Sequence, residues 1–157
     1  MRIVIISDSH KNQGAIDKIL SAQPQASHLF FLGDNTYDIE DFEILYPNIK
    51  FHIVSGNCDY FSSFSSVGVE KINGVGIFYT HGHNYGVKST LEHLKKAALE
   101  RNCQIALYGH THIAKTLYED GIYIVNPGSC SISRQGGNSY AVIDITEKGI
   151  MPIIIRI

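Results

Sequence analysis

Apolar and polar positions alternate along this chain in two successive rhythms. Arg2–Ser7 is an apolar, β-branched run that breaks off at Asp8, which predicts a buried strand. From Asn12, a capping residue, to about Ala22, apolar side chains fall at Ala15, Ile16, Ile19 and Leu20. That spacing predicts one helix face, ended by Pro24. His28–Leu32 predicts a second strand, stopped by Gly33-Asp34. Tyr37–Leu45 predicts a weaker helix before Pro47, and Ile49–Val54 a third strand stopped by Ser55-Gly56-Asn57. Strand, helix, strand, helix, strand is the order a parallel α/β unit requires.

Tyr60–Ser66 is rich in Ser, Phe and Tyr and reads as a loop. Its Phe61 and Phe64 are expected either to cap a site or to bury in a homo-oligomer interface. Val67–Ile72 and Val75–Tyr79 flank Asn73-Gly74, a dipeptide suited to a type I′ hairpin turn. Thr90–Arg101 is the clearest helix, with Leu91, Leu94, Ala98 and Leu99 on one face and Glu92, Lys95 and Lys96 outside. Ile105–Tyr108 predicts a strand running into Gly109. Beyond it, Ala114–Tyr118, Ile122–Val125, Tyr140–Ile145 and Met151–Ile155 predict strands, separated by turns such as Glu119-Asp120-Gly121 and Glu147-Lys148-Gly149. They read as an antiparallel meander. No repeat, low-complexity tract or linker interrupts the chain. The expectation is one domain over residues 1–157, with two packed sheets and helices outside.

Composition narrows the function classes. Of 157 residues, 44% are hydrophobic, enough for a core. A formal charge of -2 with scattered lysines and arginines gives no basic stripe, which argues against a nucleic-acid partner. The apolar run Ile3–Ile6 is too short for a signal segment or a membrane span. Cys58, Cys103 and Cys130 form no C-x-x-C pair and no disulfide framework, so a cytoplasmic address is expected. Histidine is the unusual component. Five of the eight fall in three clusters: His10, His81 with His83, and His110 with His112.

The chemistry lies in where the polar residues fall. Asp8 and His10 follow the first predicted strand, Asp34 the second and Asn57 the third. His81 follows the second hairpin strand, and His110 and His112 follow the next. In open α/β sheets, ligands bind at the carboxyl ends of strands. These seven residues offer carboxylate and amide oxygens and imidazole nitrogens without an obligatory thiolate. Such a set suits Mn, Fe, Zn, Ni or Mg. Seven donors exceed what one small ion needs. They suit two divalent ions about 3.5–4 Å apart sharing a carboxylate, the geometry of two-metal phosphoryl chemistry.

The order Asp8-x-His10, Gly33-Asp34, Gly56-Asn57-Cys58-Asp59, Thr80-His81-Gly82-His83, Gly109-His110-Thr111-His112 resembles the calcineurin-like metallophosphoesterase superfamily. It is most similar to the small YfcE/MJ0936-like phosphodiesterase branch. Asn126-Pro127-Gly128-Ser129 matches a further family element, so the resemblance covers nearly the whole chain. It implies a four-layer α/β/β/α sandwich of two mixed β-sheets flanked by helices. It assigns Asp8, His10 and His112 to a first metal, Asn57, His81 and His110 to a second, and Asp34 to a bridge. It implies hydrolysis of small phosphate esters by a metal-bridging hydroxide, with manganese favoured and diesters ahead of monoesters.

One departure bears on the proton donor. Many members carry histidine where this chain has Cys58, and a thiol with a reference pKa near 8.5 is a poor substitute for imidazole. His83 is the candidate acid, with a second role as a supporting residue left open. Arg134, in a Ser/Gly-rich loop, and Asn57 are candidate substrate contacts. Asn126–Ser129 is expected to buttress the site. The alternative function is an interaction scaffold of the kind the retromer subunit represents. Scaffold descendants tend to lose a ligand histidine, and here none is missing.

Overall fold

The computed structural model of the chain describes residues 1–157 and contains ten strands in two five-stranded sheets. The first sheet has the order β10-β9-β1-β2-β3, formed by β1 (Arg2–Ile6), β2 (Ala26–Phe31), β3 (Lys50–Ile53), β9 (Ser139–Thr146) and β10 (Gly149–Arg156). The second has the order β4-β5-β6-β8-β7, formed by β4 (Val67–Ile72), β5 (Val75–Thr80), β6 (Ile105–Leu107), β7 (Lys115–Glu119) and β8 (Ile122–Asn126). Both sheets are mixed. β1, β2 and β3 run parallel, as do β5, β6 and β8, while β4, β7, β9 and β10 pair antiparallel.

The period-2 alternation of side chains explains the layering. Ile3 and Ile5 of β1 enter a core with Phe30, Ile77, Leu107 and Ile143, drawn from both sheets. Val4 and Ile6, on the opposite face of the same strand, pack with Ile16, Ile19 and Leu20 of helix α1 (Gln13–Ser21) and with Phe42 of α2 (Phe42–Leu45). On the far side, Phe78 and Ala106 pack with Leu94, Ala97 and Ala98 of α3 (Glu92–Leu99). Three apolar layers therefore separate four layers of elements, α/β/β/α. A strand buried on both faces must be apolar at every position, which is why β1 reads as a continuous run.

Asn12 caps α1, its side chain accepting from the Ala15 N–H at 3.0 Å. Asn73 and Gly74 have φ of 49° and 82°, as a type I′ turn demands. Two expectations differ from the fold. The helix expected over Tyr37–Leu45 is instead a 3-10 turn at Thr36–Asp38 followed by the four-residue α2. Asp38 is diverted: its carboxylate accepts from the Lys11 N–H at 2.7 Å and the Ser9 hydroxyl at 2.6 Å. The four late strands form no single meander. β7 and β8 make a hairpin in the second sheet, with β8 parallel to β6, whereas β9 and β10 make a hairpin in the first. Alternating strands look alike whichever sheet they join.

Candidate metal centre

Parallel strands end together, and here their ends carry the polar residues. Asp8 and His10 lie beyond β1, Asp34 beyond β2 and Asn57 beyond β3, at one rim of the first sheet. His81 lies beyond β5, and His110 and His112 beyond β6, at the rim of the second. The site sits on the seam between the sheets. Asp8, His10, Asp34, His110 and His112 all have positive φ, between 45° and 65°. Such conformations cost about 1–3 kcal/mol each for residues with a Cβ, and they persist where surrounding bonds over-determine them.

Two groups of donor atoms share Asp34. In the first, Asp8, His10, Asp34 and His112 each offer an atom within 4.8 Å of the others. His112 Nε2 lies 3.1 Å from Asp8 Oδ1 and 3.2 Å from His10 Nε2. In the second, His81 Nε2 lies 3.2 Å from Asn57 Oδ1, 3.2 Å from His110 Nδ1 and 3.4 Å from Asp34 Oδ1.

The tautomers decide what these short distances mean. His81 Nδ1 donates to the Leu32 carbonyl and His112 Nδ1 to the Ile132 carbonyl, both at 2.7 Å. The neutral rings therefore turn lone pairs at Nε2 towards carboxylate, amide and imidazole lone pairs. Asp8 Oδ1 is buried, and while the His112 ring is neutral it accepts no hydrogen bond. Converging acceptors repel unless a positive charge sits between them, so this donor set fits divalent cations. Without a metal, protons answer the same repulsion. Burial pushes the Asp8 carboxyl up, but a hydrogen bond from a protonated His112 and the neighbouring His81 ring overcome it and hold Asp8 below its usual range. Bonding to Asp8 raises His112. A proton on His112 is one source of the required positive charge, and a divalent cation would displace it.

Backbone amides hold the turns. The Asp59 carboxylate accepts from the N–H groups of Asp34, Asn35 and Thr36 at 2.8 Å and of Gly56 at 2.7 Å. It thereby ties the turn bearing Asp34 to the turn bearing Asn57. Gly56 has no room for a side chain, because a Cβ would overlap the Asp34 carboxylate and backbone nitrogen. Ser129 Oγ donates to the Asp8 carbonyl at 2.7 Å and accepts from the Ile132 N–H at 2.7 Å. Asn126 Nδ2 donates to the Gly109 carbonyl at 2.9 Å and to Thr111 Oγ1 at 3.0 Å. The 126–129 segment therefore makes the buttressing contacts expected of it.

The weaker candidates fall around this frame. His83 has its ring centroid 5.4 Å from that of His81 and 6.1 Å from that of His110. Its buried Nδ1 has no partner, and burial, then the charge of His81, lowers its pKa. Burial and the neighbouring Asp34 raise the Cys58 thiol to about 11. Arg134 is exposed, and its backbone N–H donates to the His112 carbonyl at 3.2 Å. Burial, then the charges of His81 and Lys88, push His110 down to about 4. Phe61 is 90% exposed, so it does not pack into the core. Asp59, whose side-chain contacts are all to backbone, is the positioning residue of the candidate site to which pattern reading gave no role. Its one sequence signal is the fourth place in Gly56-Asn57-Cys58-Asp59.

Comparison with known proteins matches residues 1–148 to the calcineurin-like phosphoesterase superfamily domain. The chain is 29% identical over 148 residues to the probable metallophosphoesterase YsnB of Bacillus subtilis, covering 92% of this chain and 85% of that protein. It is 26% identical over 177 residues to phosphodiesterase MJ0936 of Methanocaldococcus jannaschii, covering 99% and 100%. A solved structure from Streptococcus pneumoniae, described as a predicted phosphoesterase, superposes with a TM-score of 0.85 at 25% identity, covering 99% of this chain and 88% of that one.

Proposed function

The chain belongs to the calcineurin-like phosphoesterase superfamily, and from that premise we propose that it is a metal-dependent phosphodiesterase acting on small phosphate esters. The reading takes residues 1–157 as one catalytic domain. The observation that carries it is the convergence of histidine, carboxylate and amide lone pairs, His112 Nε2 on the buried Asp8 Oδ1 and both Asn57 Oδ1 and His110 Nδ1 on His81 Nε2. Asp8, His10 and His112 would hold one divalent ion and Asn57, His81 and His110 a second, with Asp34 shared. When bound, such a pair supplies Lewis acidity and a hydroxide nucleophile near neutral pH. Manganese is favoured for this mixed oxygen and imidazole set, and Fe, Zn, Ni and Mg also suit it.

The chain's own residues do the rest. The Leu32 and Ile132 carbonyls fix the His81 and His112 rings in one tautomer with Nε2 facing the centre. Asp59 fixes the spacing of Asp34 and Asn57. Asn57 is exposed at the rim, where its side chain meets an incoming phosphate ester. His83, neutral near pH 7 by the direction of its shift, serves better as a hydrogen-bond partner of the phosphoryl group than as a proton donor. Esters with acidic leaving groups are therefore the preferred substrates, because they depart without a proton.

No helix is long and apolar enough to cross a membrane. All three cysteines are free thiols, the state a reducing compartment maintains, and the cytoplasm is the compartment proposed. The competing reading is an interaction scaffold, and the complete ligand set favours the enzyme. Purified protein supplied with Mn²⁺ should hydrolyse bis(p-nitrophenyl) phosphate, and Asp34→Asn should abolish turnover. A wild type inert with every divalent metal tried would reject the enzyme and favour the scaffold.

A further inference from the structure

Beside the donor cluster lies a cavity of about 310 Å³ whose wall includes Thr111, between His110 and His112, and Tyr108, two residues before His110. Three cations line it: Lys88, Lys115 and Arg134. No acidic residue does. None of the three forms an ion pair, whereas Lys95 binds Glu92, Glu119 and Asp120, and Lys50 binds Glu70. The remaining wall is apolar, with Leu91 and Ile113 beside the buried Tyr108.

We propose that this cavity is a subsite for one arm of the substrate diester, an arm of nucleotide size that carries an apolar or ring face and a second anionic group of its own. The proposal rests on the phosphodiesterase reading and deepens it by naming a substrate class. Three unpaired cations gathered in one concavity repel each other and concentrate anions. The scissile phosphate is answered by the donor cluster, so cations set to one side answer a different charge. A purely polyanionic ligand has no use for Leu91, Ile113 and Tyr108, and a purely apolar one has none for the lysines. The volume, at the small end of ligand pockets, takes one mononucleotide and not a strand. A small diester of this kind also reconciles a cationic pocket with a chain of formal charge -2.

The test uses two aryl esters that share one scissile bond: the p-nitrophenyl ester of thymidine 5′-phosphate, and the same ester bearing an additional 3′-phosphate. In both, water oxygen joins phosphorus, the bond to the aryl oxygen breaks, and nitrophenolate leaves with the electron pair. With Mn²⁺ present, the wild type should favour the 3′-phosphorylated ester in kcat/KM by about tenfold or more, the scale of a charge-assisted contact. In Lys88→Gln/Lys115→Gln that ratio should fall towards unity. A ratio near one in the wild type, or one unchanged in the variant, would overturn the proposal. If neither ester nor bis(p-nitrophenyl) phosphate is hydrolysed, it is the phosphodiesterase reading that fails. Calorimetric titration of the chelator-treated protein with thymidine 3′,5′-bisphosphate and with thymidine then decides the pocket independently. The bisphosphate should bind at least about tenfold more tightly, and lose that margin in the double variant. Equal binding of the two would overturn the subsite.

Discussion

Asp59→Asn is nearly isosteric, yet it should damage this protein severely. Asp59 Oδ2 accepts from the Asp34 and Gly56 N–H groups, and Oδ1 from those of Asn35 and Thr36. An asparagine keeps one acceptor oxygen and turns an NH₂ group towards two backbone donors. Two N–H groups then lose their acceptor and face another donor. Removing a charged acceptor costs about 1.5–3 kcal/mol per bond. The two lost bonds share one oxygen and are partly reachable by water, so the expected loss is about 2–4 kcal/mol. Urea unfolding in the presence of chelator measures this without a metal contribution. The same change loosens Asp34 relative to Asn57, and residues that orient ligands typically contribute 10–100-fold in metal affinity. Mn²⁺ titration of the folded variant reads that second effect. A variant within about 0.5 kcal/mol of wild type, binding Mn²⁺ equally well, would refute the role given to Asp59.

Other consequences follow from the same contacts. Gly109→Ala should lose most activity, because its Cβ would overlap the Ser7 hydroxyl and lie 2.9 Å from Asp8 Oδ2; steady-state hydrolysis beside a circular-dichroism spectrum separates this from unfolding. Ser129→Ala removes a buried hydroxyl that serves the Asp8 carbonyl and the Ser131 and Ile132 amides, and should lower stability by about 2 kcal/mol in urea titrations. His52 is buried against Phe30, and burial holds its pKa down at about 4 although Glu70 opposes the shift. The unfolded state therefore binds the extra proton first, so stability is full above about pH 6.5 and declines as pH falls towards 4. His52→Phe should remove its share of that decline, at its limit about 3 kcal/mol, leaving the share of the likewise lowered His110, and a variant with an unchanged pH slope would count against the assignment.

The site was legible in the sequence because its chemistry is linear in the chain. A strand ends, a glycine or polar residue follows, and the candidate ligand is there, as at Gly33-Asp34 and Gly109-His110. The layering was legible for a similar reason: Ile3 and Val4 are both apolar because each faces a different core. What escaped depended on contacts far apart in sequence. Tyr37–Leu45 has helical spacing, but Asp38 is drawn to Lys11 and Ser9, and Asp59 takes the N–H groups of Asn35 and Thr36. No local pattern announces these bonds. The pairing of β8 with β6 escaped likewise, since alternation fixes a strand's faces and not its neighbours. Asp59 stood in a motif, but its role escaped because its partners are backbone amides, which a residue-type pattern does not identify.

The account turns on two cations sharing Asp34, and electron paramagnetic resonance of Mn²⁺-loaded protein tests that directly. Chelated protein titrated with Mn²⁺ should take up two ions per chain and develop the multiline spectrum of an exchange-coupled pair, and Asp34→Asn should lose that coupling. A wild type that binds a single ion, or two whose spectra stay uncoupled, would contradict the shared centre.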